Sequence, residues 1–229
     1  MSTDAHLIIK GEVEDELAGA AFRDTDLSVS ARVRRIKDPQ LQEILAYSNT
    51  DVVYRFSKTF GVTIEESEDI FDQVKRWLWL SHHRRTQGIK EPLSIDMSLV
   101  VIDEMWHNFV LFTKEYFKFC KVHFGYYLHH APATEKEDED SKAKLTRLTK
   151  RERVEAFKNA RRPQYQYVYD KLGKECFQKW YVDYPQRYSY INLMEMQLAT
   201  AKSRFDRSAR HQTEIVQPLE LERSDGTIT

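Results

Sequence analysis

The stretch VVIDEMWHNFVLFTKEYFKFCKVHFGYYLHHAP, residues 100–132, decides the reading of this chain. At about 100° per residue, a helix over its first part places Ile102, Trp106, Phe109, Tyr116 and Cys120 on one side. The same count throws Leu111 and Val122 almost to the opposite side. One straight helix would therefore leave apolar residues on a polar face. A break at Phe112-Thr113, with Thr113 capping the second segment, lets both halves turn inward. Two helices meeting at Thr113 are expected, the second stopped by Gly125.

Helical signals extend both ways from there. Upstream, Asp38-Pro39 reads as a cap followed by Pro at a first helical position. Leu41, Ile44 and Leu45 form an apolar stripe, and Val52, Val53 and Phe56 continue it past a break at Ser48–Thr50. Gly61 is a stop. Thr63-Ile64-Glu65-Glu66 has the capping-box pattern, opening a helix with Ile70, Val74 and Trp77 on one face. That helix is expected to end near Ser81, with His82-His83-Arg84-Arg85 as a solvated exit and Pro92 closing the loop. Downstream, Glu135–Asp140 is acidic, and Lys142–Arg162 carries nine Lys or Arg against Glu152 and Glu155. Adjacent blocks of opposite sign suggest a mobile charged connector. Pro163 is read as opening a helix that stops at Gly173. A short helix carrying Cys176, Phe177 and Trp180 follows, then another around Ile191–Leu198.

Few turn residues, seven Gly and six Pro in 229 residues, argue against a sandwich or barrel. The expected fold is all-α: an irregular multi-helix domain over 38–200, its connector at about 133–150, between a loosely ordered lead-in at 1–37 and a polar tail at 201–229.

Charge and cysteine content exclude several classes. Lys+Arg of 35 against Asp+Glu of 36 gives a net charge of −1, so no global field selects a polyanion or an anionic membrane. Cys120 and Cys176 are the only cysteines, too few for a disulfide scaffold, and are read as buried thiols. No apolar run reaches the roughly 18 residues of a membrane span. The first twenty residues lack a basic-then-apolar signal, so a cytoplasmic location is expected.

The chemistry concentrates in the deciding stretch. Asp103 and His107, four apart on a helix, project from one face, one turn separated. That spacing suits a carboxylate oxygen and an imidazole nitrogen on one divalent cation, zinc or similar. His129 or His130, arriving from the loop after Gly125, would add a third ligand, leaving a position open for catalysis. The same Asp–His spacing is also that of a surface ion pair. Cys120, on the apolar side with Trp106, reads as core, and consecutive histidines are often only a polar turn. There is no phosphate-binding loop, nucleophile elbow or zinc-spaced cysteine pair.

The pattern Asp103-x-x-Trp106-His107, then Leu111, Tyr116, Cys120 and Gly125, resembles the glycine-rich-domain-like family. Over 60–132, ending in Leu128-His129-His130-x-Pro132, it looks like a bacterial-type member; the likeness is looser over 163–185. Two positions depart: the family's second histidine falls on Phe109 and its proline on Thr113. The resemblance implies a shared helical module and no reaction.

Three functions stay open at this level. A non-catalytic module that binds another protein leads, because Tyr, Trp and Phe anchor interfaces. A metal-dependent, hydrolytic enzyme using Asp103, His107 and His129 or His130 is the alternative. The third is nucleic-acid contact through residues 142–162, opposed by the neighbouring acidic run and by Phe157 being the segment's one aromatic ring.

Overall fold

The computed structural model of the protein describes residues 7–8, 37–89, 93–132 and 134–215. It is all-α, with helices α1 (Leu41–Leu45), α2 (Thr50–Phe60), α3 (Ile64–Thr86), α4 (Val100–Leu111), α5 (Thr113–His123), α6 (Glu135–Thr146), α7 (Lys150–Gln178), α8 (Tyr184–Arg187) and α9 (Tyr190–Ile215). Leu7–Ile8 pairs antiparallel with Ser94–Ile95 as a two-residue bridge. Apart from that pair, the lead-in expected at 1–37 lies outside the described residues up to Lys37, as do Pro92 and the tail beyond 215.

Helix α3 is the centre. Ile70, Phe71, Val74, Trp77, Leu78 and Leu80 are buried, so it is covered on nearly every side and touches α1, α2, α4 and α7. Lys75, buried on this helix, donates to the Leu45 and Tyr47 carbonyls (2.8 and 2.7 Å) and pairs with Asp72 at 2.7 Å. Its ammonium satisfies carbonyls that the end of α1 leaves without helical partners. Trp77 and Trp180 lie 5.8 Å apart between ring centres, and the Trp180 indole donates to Gln73 Oε1 at 3.0 Å. Buried apolar residues run from Ile44 to Leu193 in one cluster.

Several boundaries fall as the sequence indicates. Asn49 caps α2, accepting from the amides of Asp51 and Val52, and Gly61 ends it in the left-handed region at φ 70°. Thr63 caps α3, accepting from Glu66 N at 3.1 Å. Phe112, with φ −84° and ψ 62°, breaks α4 from α5.

Other expectations are corrected. The first helix begins at Leu41 after Gln40, so Asp38-Pro39 precedes it. Glu66 pairs with Arg187 and accepts from Tyr188, joining α3 to α8. Thr113 makes no cap, and Leu111 and Val122 stay exposed despite the break. Helix α3 runs on to Thr86, so His82 is no solvated exit: its ring is buried, bonded to the Lys37 carbonyl (2.6 Å) and Tyr126 hydroxyl (3.1 Å), and stacked on Phe124. The charged connector is helical, because Thr134 with Glu137 and Thr149 with Glu152 form complete capping boxes at the starts of α6 and α7. Pro163 lies inside α7, whose axis breaks instead at Gly173 (φ 83°, ψ 173°). A π-helical turn, Lys179–Asp183, carries Trp180 into the core, and α9 extends well past Leu198 and Ser203.

Candidate metal centre

Helix α4 is launched by a buried anchor. Asp96 accepts from Ser98 N at 2.7 Å and pairs with Arg161 of α7, while Gln164 bonds both the amide and carbonyl of Ser94 (2.8 and 3.0 Å). Farther along, Asn108 donates to the Val52 carbonyl at 2.9 Å and accepts from Arg55. These contacts fix the rotation of α4 and hence where Asp103 and His107 point.

The third group arrives from the loop after α5. Tyr116 accepts from the Trp106 indole (3.1 Å) and donates to the Leu128 carbonyl (2.7 Å), tying α4, α5 and the loop together. Gly125, at φ 83°, turns the chain out of α5 while its amide bonds back to Cys120 O. Two residues past Leu128, His130 lies flat on Trp106, with 3.9 Å between ring centres and 18° between planes.

Asp103, His107 and His130 consequently present ligand atoms all within 4.8 Å of one another. Asp103 Oδ1 is 3.2 Å from His130 Nε2, and Oδ2 is 3.8 Å from His107 Nδ1. Ligand bonds of about 2.1 Å set neighbouring ligand atoms roughly 3.0–3.5 Å apart, so small side-chain rotations would complete a shared site. The side chain of His130 is 5 % exposed; its Nε2 faces Asp103 Oδ1 without hydrogen-bond geometry, and its Nδ1 is buried with no hydrogen-bond partner. A buried imidazole nitrogen left this way needs an explanation, and an ion shared with Asp103 supplies one for the pair. His107, 48 % exposed, forms the solvent side.

Of the residues singled out by sequence, the structure brings together Asp103, His107 and His130. His129 is exposed beside Tyr127 (4.8 Å between ring centres) and stays outside the group. Trp106, Tyr116 and Gly125 shape the site without ligating. Cys120 is buried, and burial pushes its thiol up to about 11, so it remains a neutral core group. Leu111 is exposed and takes no part. Glu104, whose pKa burial raises, beside His107 and Asp103, was not singled out by spacing. Its only sequence signal is a second acid in an otherwise apolar turn.

Within the basic segment, Arg161 is used structurally: it is buried against Asp96, and its guanidinium lies over one face of the Phe157 ring at 3.9 Å.

The fold and this cluster define an all-α protein with a carboxylate–imidazole–imidazole site at a helix–loop junction. By the family model matched over residues 48–168, the chain belongs to the UCP032817-like family. This corrects the glycine-rich-domain-like resemblance: the matching family is a different one, and it names no activity. Phe109, where that resemblance would have put a second histidine, is a fully buried ring against Phe71, Tyr116 and Phe119. Comparisons with curated proteins and with solved structures give no match. No helix among the described residues is long and apolar enough to cross a membrane.

Proposed function

We propose that Asp103, His107 and His130 hold one divalent transition-metal ion, zinc or a similar cation, and that the protein is a metal-dependent, hydrolytic enzyme. The observation that carries this is the convergence of Asp103, His107 and the buried His130, their ligand atoms within 4.8 Å of one another, with Nε2 of His130 3.2 Å from Asp103 Oδ1 but not in hydrogen-bond geometry with it. One carboxylate and two imidazoles suit such cations, and three protein ligands leave positions for water or substrate. An ion there would lower the pKa of bound water and polarise a substrate oxygen. The half-exposed His107 gives the site its opening. Trp106 and Tyr116 would orient His130, as partners behind metal ligands do.

The test is elemental analysis of gently purified protein, with titration of zinc into the chelator-stripped chain. About one metal ion per chain is expected, lost in His130→Ala and Asp103→Asn and kept in His129→Ala. A metal-free chain whose melting temperature ignores both zinc and chelator overturns the proposal.

Protein–protein recognition is a second reading, favoured by the exposed apolar residues Ile191, Met194, Leu198 and Phe205 of α9. A reducing, cytoplasmic setting fits the buried, unpaired thiols of Cys120 and Cys176.

A further inference from the structure

Helix α9 is amphipathic in an unusual sense: one side is seated and another is apolar but bare. Its inner side packs on α2, with Leu193 buried and the Arg204 guanidinium donating to the Lys58 carbonyl. Gly61 approaches so closely that an added Cβ would stand 2.8 Å from Thr200 Oγ1. On the outer side Ile191, Met194, Leu198 and Phe205 are 67, 54, 71 and 74 % exposed, with Ala201 exposed between them. At about 100° per residue these five fall within roughly 80° of arc. Their spacing of three and four is that of the a and d positions of a coiled coil. Contiguous apolar surface of this kind marks an interaction site.

The flanking charges select the partner. With Ile191, Leu198 and Phe205 at a and Met194 and Ala201 at d, Glu195 and Lys202 both occupy e positions. In an antiparallel pair of such helices, e faces e across the seam. The register that sets Met194 against Phe205 and Leu198 against Ala201 also sets Glu195 of each chain against Lys202 of the other. A two-fold axis repeats that ion pair, as an isologous interface requires. A parallel pairing would place g against e, Gln197 against Lys202, and gain no opposite-charge contact.

We propose that this ridge is a self-association surface, on which a second copy of the chain lies antiparallel along α9. It is independent of the metal site, because α9 carries none of the three ligand residues.

Sedimentation equilibrium on the full chain tests it. A reversible dimer is expected, weakened at least tenfold by Leu198→Glu, a change at an exposed position that leaves the far-UV circular dichroism intact. Glu195→Lys and Lys202→Glu should each weaken the dimer, and their combination should restore it. A monomer at every concentration reached, or a dimer indifferent to Leu198→Glu, overturns the proposal. Failure of the double charge swap to restore affinity overturns the antiparallel register.

Discussion

The indole of Trp106 and the imidazole of His130 lie face to face, 3.9 Å apart at 18°, while the indole N–H points away to Tyr116. One side chain therefore both stacks on the buried histidine and connects to the hydroxyl holding its loop. Tyr116→Phe keeps the ring but leaves the Trp106 N–H and the Leu128 carbonyl unpaired in the core. A loss of about 1–3 kcal/mol of stability is expected in chemical denaturation. Zinc affinity measured by calorimetry should fall roughly 10–100-fold, as it does when groups that orient metal ligands are removed. Affinity unchanged in a destabilised variant would show that the hydroxyl holds the fold and not the site.

The buried His82 makes a pH-dependent contribution with a definite sign. Burial lowers its pKa below 6.5, outweighing the Lys37 carbonyl bond that raises it, and burial lowers His83 and His123 in the same direction. The unfolded chain then binds more protons than the folded one as pH falls below about 6.5, so stability present above that pH is lost as acid is added. The melting temperature should drop between pH 7.5 and 5. Proton NMR should place His82 below its unfolded pKa; a midpoint at or above 6.5 contradicts this account.

Much of the fold was legible because helix signals are local. Asn49, Gly61 and Thr63 cap or stop helices through their own side chains or backbone freedom; a break does fall at Phe112, but Leu111 and Val122, whose angular drift pointed to it, stay exposed on either side of it. The pairing of Asp103 with His107 was legible from spacing. The choice between His129 and His130 was not, because it depends on stacking against Trp106 from another helix. His82-His83-Arg84-Arg85 looked solvated because its partners, the Lys37 carbonyl and the Tyr126 and Tyr167 hydroxyls, are distant in sequence. Pro163 misled for a similar reason: neighbours Arg161 and Gln164 are anchored to residues 94–96, which holds the helix together through a position lacking an amide donor.

Gly173 supplies the bend that Pro163 does not. Its φ of 83° and ψ of 173° belong to a region nearly exclusive to glycine, and the bend brings Phe177 against Tyr165 and Tyr169 (5.7 and 6.0 Å between ring centres). An added Cβ meets no atom within 4 Å, so Gly173→Ala isolates backbone strain from crowding. A cost of about 1–3 kcal/mol is expected in urea denaturation. A neutral result would mean that the chain can straighten there without disturbing Trp180.

Arg161 separates the structural from the nucleic-acid reading of the basic segment. It is buried and paired with the buried Asp96, which itself caps the approach to α4, so Arg161→Ala strands a carboxylate in the core. Breaking such a pair costs about 3–5 kcal/mol, whereas Arg162→Ala, at an exposed neighbour, should stay within about 0.5 kcal/mol. Because Asp96 sets the start of α4, Arg161→Ala should also weaken zinc binding by rotating Asp103 away from His130. If both variants instead keep full stability and zinc affinity while losing affinity for a single-stranded oligonucleotide, the segment serves a phosphate backbone and the anchoring role fails.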